Sequence, residues 1–434
     1  ETQTEREKRK LNSTTSKTST MPPPTSSEFR HPWSRDQFRA NAHAAVDFII
    51  SYLERLEQPT PPWPVASQVE PGYLRPKLPR EAPERPAGDD GDDGNGGQGF
   101  SSFLGDLERL VLPGLTHWQS PNFFSYYPAN SSLPGILGEM LCAAFNVIGF
   151  SWAGSPAATE LEGVVLDWLA KALGLPECFL SPEAESSSSS SGEPSKGGGC
   201  IQSTASDAAL VALLAARARA LARAPTSDDG DDDDNDGRGD GDGDEEEKEG
   251  KAHTFPPGSH NEDTATASKL TVYTSKQAHC CVQKACMVTG IPFSRVREVE
   301  APESNGFEID AAALRAALEE DLRKGFVPCL VVATVGTTPS CAVDDLGAVA
   351  AAIDAAYAAA GEKEKEKEEK EKSNGGDSEE REVEEKKKKS RLPRKPWLHV
   401  DAAYAGVAAL CPEYRDIFAG AERVDSLSTN FHKW

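Results

Sequence analysis

Two short segments near the end of the chain carry residues whose types could do chemistry. The first, Trp397-Leu-His-Val-Asp401, is an apolar stretch that ends in a carboxylate, and the second, Ser426 to Lys433, ends in a histidine and a lysine. A lysine amine can attack an aldehyde when burial or a neighbouring cation lowers its pKa, and a buried carboxylate can keep a pyridine ring protonated. Together Lys433 and Asp401 favour a pyridoxal phosphate (PLP) site, although only slightly over two solvated surface charges.

The overall charge argues against some classes of partner. The 434 residues include 46 basic and 70 acidic side chains, which gives a formal net charge of −24. Such a charge is unfavourable for binding nucleic acid or an anionic membrane surface. Half of the excess lies between Thr226 and Gly250, where fourteen acidic residues face two basic ones. The net charge therefore reflects the composition of an insertion more than that of the folded part of the chain.

Cysteine usage and the start of the chain indicate a cellular compartment. None of the nine cysteines has the C-x-x-C spacing, so we expect no metal site, no redox motif and no disulfide framework, and a reducing, cytoplasmic location. No apolar run approaches the length of a membrane span. Residues 1–27 are predicted to be a disordered leader, with a transit peptide as the alternative and Met21 as a candidate start.

The remaining chain is predicted to contain an N-terminal helical segment, residues 28–117, and a large domain, residues 118–434. From Ser27 to Gln58 the apolar residues recur at mostly three- and four-residue steps, which predicts an amphipathic helix. Val69 to Pro76 is predicted to be extended, and Phe103 to Leu112 to be a second helix. Because so small a region cannot bury both helices alone, we expect it to pack onto another subunit or onto the large domain.

Three low-complexity inserts interrupt the large domain. Residues 181–196 are rich in serine, residues 226–252 in aspartate and glycine, and residues 361–392 in glutamate and lysine. These compositions cannot form a core, so we expect surface loops, with a solvated helix only from about Glu362 to Lys372.

Strands alternate with helices once the inserts are set aside. Strands are predicted at Leu270–Tyr273, Val327–Val335, Trp397–Val400 and Val424–Ser428. Helices are predicted over residues 135–147, 156–173, 206–224, 276–288 and 345–358. The alternation predicts an α/β fold with a mostly parallel, mixed sheet that helices cover on both faces.

Polar or reactive residues follow each of the four strands. Ligands of such sheets bind beyond the carboxyl ends of the strands. The residues at these positions are His279, which is predicted in the first turn of its helix, Thr337 and Thr338, Asp401, and finally Asn430, His432 and Lys433. The helix start at Ser206 follows a glycine-rich run and suits a phosphate, because free N–H groups and the helix dipole meet there. This convergence strengthens the case for PLP.

The chain resembles the group II PLP-dependent decarboxylases, and most of all the aromatic-L-amino-acid decarboxylases. The segments that carry the resemblance are Val69-Glu-Pro-Gly-Tyr-Leu-Arg-Pro76, Gly149-Phe-Ser-Trp-Ala-Gly-Ser-Pro156, His399-Val-Asp-Ala-Ala-Tyr-Ala-Gly406 and Asn430-Phe-His-Lys-Trp434. The resemblance implies the type I PLP-dependent transferase fold and PLP as the cofactor. It also implies a homodimer that converts an aromatic L-amino acid to its amine and carbon dioxide.

The same resemblance implies roles for single residues. Lys433 looks like the Schiff-base lysine, Asp401 like the partner of the pyridine nitrogen and His279 like the imidazole stacked on the ring. Further cofactor contacts are implied for Ala205, Ser206, Thr338, Ala403, Asn430 and His432. An aromatic substrate pocket, partly across the dimer interface, is implied for Trp118, Tyr126, Tyr127, Pro128, Ile148 and Phe150.

Alternatives stay open at this point. Histidine decarboxylase and aromatic aldehyde synthase are the nearest, and an inactive PLP-fold binding protein with acidic loops is the alternative from another class. The chain stops one residue after Lys433. By comparison with the family that it resembles, we expect the C-terminal part to be missing and this fragment alone to be inactive.

Overall fold

The computed structural model describes six stretches of the chain, and it divides the chain into two compact units, Glu1–Pro128 and Ala129–Trp434. The described residues are 33–81, 99–149, 151–182, 197–221, 264–374 and 392–434. The predicted leader and the acidic insert, together with most of the serine-rich insert, lie outside them. The predicted domain boundaries stay predictions.

The first unit begins with the predicted amphipathic helix, α1, at Arg35–Leu56. Its start is fixed by a capping box, in which the Ser34 hydroxyl accepts the Gln37 N–H at 3.1 Å and the Gln37 side chain accepts the Ser34 N–H at 2.7 Å. Leu56 packs with Trp63 and Leu112 in a small core. The first unit therefore has a hydrophobic core of its own.

The second predicted helix of this unit differs in form. Helix α2 spans Phe100–Asp106 and passes directly into a π-helical turn at Leu107–Val111 and a 3₁₀ turn at Leu112–Gly114. The helix thus begins three residues before the predicted start, and most of the predicted span is not α-helical.

The extended conformation predicted for Val69 to Pro76 is wrong. The Tyr73 N–H donates to the Glu70 carbonyl at 3.1 Å, and Gly72 has a φ of +88°. A positive φ at the third residue, after a proline at the second, is typical of a type II turn. The Pro-Gly pair at 71–72 was the signal that the sequence prediction overlooked.

The second unit contains one parallel sheet with helices on both faces. Four helices precede the sheet: α3 Leu133–Phe145, α4 Pro156–Ala172, α5 Ala205–Leu221 and the short α6 Thr264–Ala267. The alternating part then runs β1 Leu270–Ser275, α7 Cys281–Val288, β2 Val296–Val299, α8 Ala311–Arg323, β3 Val327–Thr334, α9 Leu346–Asn374, β4 Trp397–Ala402 and β5 Ser426–Thr429. The spatial order is β2-β1-β3-β4-β5, and each neighbouring pair is parallel.

The apolar runs of the central strands are explained by burial on both faces. In β3, Val331 and Ala333 pack in the core that α8 and α9 cover, whereas Leu330 and Val332 pack in the core that α5 and α7 cover. A strand between two helical layers needs apolar residues at odd and even positions alike. The predicted α/β architecture is confirmed, with a fully parallel sheet where a mixed one was expected.

Several element boundaries and one strand depart from the sequence prediction. Strand β4 runs to Ala402 and so contains Asp401, which was predicted to follow it. Helix α7 begins at Cys281 and not at Lys276, because Ser275 holds a local turn: its hydroxyl accepts the Gln277 N–H at 3.0 Å and its carbonyl accepts the Ala278 N–H at 3.0 Å. Strand β2 was not predicted. Helix α9 runs to Asn374, which confirms a helix in the first part of the Glu/Lys insert.

Candidate functional site

Asp401 lies near the carboxyl end of β4 and faces the layer of α5 and α7. Side chains alternate along a strand, and Val400 and Ala402 pack on the α8 and α9 side, so Asp401 points to the opposite face. In the register of the sheet, Asp401 pairs with Thr334 of β3 and with Ser428 of β5. Three polar side chains therefore form a row across the sheet.

The Asp401 carboxylate is buried and is held by weak donors. It is 8% exposed, its Oδ1 accepts the Ala403 N–H at 3.1 Å, and the Cys281 thiol donates to its Oδ2 at 3.8 Å. Within the described part of the chain, no cationic side chain forms an ion pair with it. Because a buried carboxylate without a cation is costly, the site suits a ligand that brings its own positive charge, as a protonated pyridine ring does.

The charges of Asp401 and Lys433 both influence the pKa of His279. This histidine precedes α7 and does not lie in its first turn as predicted. Burial is the largest influence and lowers the pKa of His279; the charge of Asp401 raises that pKa, and the charges of Lys433 and Lys284 lower it. The Nδ1 atom accepts the Cys281 N–H at 3.1 Å. Since an amide can only donate, the neutral imidazole carries its proton on Nε2.

A capped turn presents Lys433. The 3₁₀ turn Phe431–Lys433 follows β5, and Asn430 caps it by accepting the His432 N–H at 3.4 Å. The Asn430 side-chain amide also lies 3.0 Å from His432 Nε2, and the His432 carbonyl accepts the Asn130 N–H at 2.7 Å. Asn430 and His432 therefore shape the turn that positions the half-buried Lys433.

Trp434 ties the lysine turn to the loop after β4. Its indole N–H donates to the Tyr404 carbonyl, and the two rings stack with centroids 5.7 Å apart. Tyr404 directly follows Ala403, whose N–H holds Asp401. The contacts therefore couple the Asp401 segment to the Lys433 segment, and the sequence analysis did not predict them.

Helix α5 carries the predicted phosphate residues, Ala205 and Ser206, at its N-terminal end. Thr204 caps that end by accepting the Asp207 N–H at 3.0 Å. At the other end, Arg219 pairs with Asp425, just before β5, at 2.6 Å. Because Asp425 lies at the amino edge of the sheet and α5 packs on β3, β4 and β5, we infer that the N-terminal end of the helix points towards the carboxyl edge.

The turn after β3 is linked to the turn after β1. The Thr337 hydroxyl accepts the Ala342 N–H at 3.0 Å and lies 2.8 Å from the Ser340 hydroxyl, which donates to Gln277 Oε1 at 3.2 Å. Thr337 is fully buried, whereas Thr338, which was predicted to contact the cofactor or substrate, is exposed. The hydrogen bonds place the Thr338 turn beside the segment that leads to His279.

Two buried hydroxyl groups on this side of the sheet lack a partner among the described residues. They are Thr334 Oγ1, next to Asp401 in the row across the sheet, and Thr274 Oγ1 on β1. A buried hydroxyl without a hydrogen bond is unfavourable. These two atoms add to the signs that this face is built to receive a polar group, and no sequence pattern had indicated them.

The protein family follows from a comparison with known domains. The model of the pyridoxal-dependent decarboxylase conserved domain matches residues 71–235 and 253–434. The chain belongs to the pyridoxal-dependent decarboxylase family. The cofactor of that family is PLP, which suits the buried carboxylate of Asp401 together with the half-buried His279 and Lys433.

Individual relatives agree with this assignment. The chain is 39% identical over 410 residues to tryptophan decarboxylase 2 of Oryza sativa subsp. japonica, with 94% of this chain and 61% of the relative covered. It is 37% identical to phenylacetaldehyde synthase of Arabidopsis thaliana, with 93% and 61% covered. Among solved structures, Oryza sativa TDC with PLP and tryptamine superimposes with a TM-score of 0.68 at 33% identity, covering 94% of this chain and 65% of that one. The chain thus spans less than two thirds of the length of these relatives.

The aromatic residues predicted for the substrate pocket are only partly brought together. In the first unit, the rings of Trp118 and Tyr126 stack with centroids 5.9 Å apart. The second unit contains Ile148, which is 68% exposed. Tyr127 and Pro128 belong to the first unit, and Phe150 lies outside the described residues. The pocket therefore stays a prediction.

A separate cavity of about 470 Å³ lies at the amino edge of the sheet. Its lining includes Arg219, Asp354 and Lys395, and Asp354 accepts a hydrogen bond from Lys395 at 2.6 Å. Asp401, His279 and Lys433 lie at the opposite edge, so we assign this cavity no part in the candidate site. Among the described residues, no three His, Cys, Asp or Glu side chains are placed to hold a metal ion.

Proposed function

We propose that the full-length protein to which this chain belongs catalyses the PLP-dependent decarboxylation of an aromatic L-amino acid to the corresponding amine and carbon dioxide. One observation carries the proposal. Among the described residues, the buried carboxylate of Asp401 has no cationic partner, and the charges of Asp401 and Lys433 both act on the imidazole of His279. An electron-accepting pyridine ring needs an anion at its nitrogen and an amine that holds the cofactor.

The side chains would divide the work as follows. When bound, PLP takes up the electron pair that the departing carboxylate leaves on the substrate. Asp401 would keep the proton on the ring nitrogen, and Lys433 would hold the cofactor through its amine. His279 would cover one ring face and Ala403 the other.

The neutral state of His279 supports this division of roles. Burial holds the pKa of His279 below its usual value, so the imidazole stays uncharged near neutral pH. It would then add no second positive charge beside a protonated ring, and it would exclude water from that face. Ala205, Ser206, Thr338, Asn430 and His432 would surround the phosphate and the edge of the cofactor.

The aromatic substrate class is supported by the relatives and by the stacked rings of the first unit. The rice relative is a tryptophan decarboxylase. Side chains proposed to line the pocket are Trp118, Tyr126, Tyr127, Pro128, Ile148 and Phe150. Because the Arabidopsis relative is a phenylacetaldehyde synthase at nearly the same identity, an aldehyde product is the second candidate.

A cytoplasmic homodimer is proposed as the working form. Large apolar side chains of α3 and α4 are exposed, with Leu137 at 56%, Leu161 at 60% and Trp168 at 64%. So much exposed apolar surface is typical of a face that another subunit covers. In the described part of the chain, no helix combines the length and the apolar character that crossing a bilayer requires.

The proposal is tested by cofactor binding followed by product analysis. The full-length protein is purified and titrated with PLP, and its visible absorbance is compared between the wild type, Lys433→Ala and Lys284→Ala. We expect the band to disappear only in Lys433→Ala, because Lys284 is an exposed lysine of α7. L-Tryptophan, L-tyrosine, L-DOPA and L-histidine are then supplied, and amine and aldehyde are separated by mass spectrometry. A wild type that binds no PLP, or releases carbon dioxide from none of the aromatic substrates, would contradict the proposal.

A further inference from the structure

Cys281 is the residue through which the imidazole and the carboxylate of the site are connected. It is the first residue of α7 and is 3% exposed. Its backbone N–H donates to His279 Nδ1 at 3.1 Å. Its thiol lies 3.8 Å from Asp401 Oδ2 and 3.8 Å from the His279 carbonyl. One residue therefore contacts both groups that would face the cofactor ring.

We propose that Cys281 is a positioning residue whose thiol tunes the charge of Asp401, while its backbone N–H holds the tautomer of His279 in wild type and variants alike. This inference rests on the proposed function. It assigns Cys281 no contact with the cofactor or the substrate. Its effect would pass entirely through His279 and Asp401.

The thiol acts as a donor and not as a nucleophile. Burial, and then the negative charge of Asp401, raise the pKa of Cys281 to about 12, so the sulfur keeps its proton at neutral pH. A thiolate at this distance would repel the carboxylate. The protonated thiol has two acceptors at 3.8 Å, the His279 carbonyl and Asp401 Oδ2, and the charged oxygen is the stronger acceptor of the two.

The weakness of the thiol is what matters for the chemistry. Sulfur donates poorly, so Asp401 Oδ2 would retain most of its negative charge for the ring nitrogen. A hydroxyl at the same position would donate more strongly and would withdraw charge from the carboxylate, whereas a methyl group would donate nothing. Serine and alanine at position 281 should therefore shift the proton affinity of the bound ring in opposite directions.

The plain alternative is that Cys281 merely packs in the core. Cys286 provides the matched control, since it lies on the same helix, in the same hydrophobic cluster, and is completely buried. No hydrogen bond among the described residues joins its thiol to Asp401 or His279. Substitution of Cys286 should reproduce any loss of packing without touching the site.

The experiment compares the wild type with Cys281→Ser, Cys281→Ala, Cys286→Ser and Cys286→Ala. Each protein is loaded with PLP that carries ¹⁵N in the ring, and the ring-nitrogen chemical shift is followed against pH, with thermal unfolding measured in parallel. We expect Cys281→Ser to lower the pH midpoint of ring protonation by about half a unit or more and Cys281→Ala to raise it. The Cys286 variants should keep the wild-type midpoint, whatever they do to the melting temperature.

The outcomes separate this inference from the proposed function. If the wild type binds PLP and both Cys281 variants keep its midpoint, Cys281 is only a core residue and the inference is wrong. Shifts of the same size in the Cys286 variants would contradict it as well. If the wild type binds no PLP, the proposed function fails first, and the positioning role fails with it.

Discussion

Replacing Asp321 by alanine should destabilise the sheet more than any surface change on the same helix. Asp321 lies on α8 with its side chain 3% exposed. Arg297 of β2 donates to it twice, at 2.8 Å to each oxygen, and the Tyr273 hydroxyl of β1 donates at 2.7 Å. The carboxylate therefore joins two strands to the helix that covers them.

The expected cost follows from what the substitution leaves behind. Removing one partner of a buried ion pair costs about 3–5 kcal/mol, because the other charge stays without compensation. The Arg297 side chain is 26% exposed and can be partly rehydrated, which favours the lower end of this range. The Tyr273 hydroxyl is buried and cannot be rehydrated, but it keeps Thr271 Oγ1 at 3.0 Å as a hydrogen-bond partner. We expect a loss of about 3 kcal/mol.

Hydrogen exchange of the β1 amides is the appropriate assay, because the chain has two compact units and a global melt would average them. The control is Glu319→Ala on the same helix, which removes an exposed pair with Arg315 and should cost only about 0.3–0.5 kcal/mol. If Asp321→Ala costs no more than Glu319→Ala, the buried network contributes nothing, and this reasoning is refuted.

Three further predictions follow from other groups. Asp401→Asn keeps the shape of the side chain but removes its charge, so we expect PLP still to bind while single-turnover release of carbon dioxide falls by about 100-fold or more. Burial lowers the pKa of both His117 and His399; the unfolded chain takes up these protons first, so thermal stability should fall as the pH drops through about 6.5 and should rise again if the pH is restored. Asp344→Ala removes the acceptor of two buried backbone N–H groups, each bonded at 2.7 Å, and should lower the free energy of unfolding by roughly 2–4 kcal/mol in urea titrations. Asp416→Ala, at an exposed position, is the control.

The strands of the sheet could be predicted where they are buried on both faces. Strands β1, β3 and β4 are apolar runs because helices cover both of their faces. Strand β2, with the sequence Val-Arg-Glu-Val, lies at the edge of the sheet and is only partly buried. A four-residue segment with two charged residues gives no signal that separates it from a loop, so it was missed.

Helix starts were not predicted reliably, even where a cap marks them. Ser34 and Gln37 form a capping box that starts α1 at Arg35, eight residues after the start predicted at Ser27. Cys280, which precedes α7, makes no side-chain capping bond, so nothing in the sequence showed that the helix starts after His279. That error matters, because outside the helix the His279 ring is free to accept the Cys281 N–H.

Some contacts of the candidate site could not be predicted from a sequence pattern. Position after a strand end was enough to single out Asp401, His279 and Lys433, because parallel strands deliver their carboxyl ends to one edge. The row that Asp401 forms with Thr334 and Ser428 depends instead on the register between strands, and register is set by packing of all the strands together. The same holds for the thiol of Cys281, which is 120 residues from Asp401 in sequence. The residues proposed to do the chemistry could therefore be named from the sequence, whereas the contacts proposed to tune them required the fold.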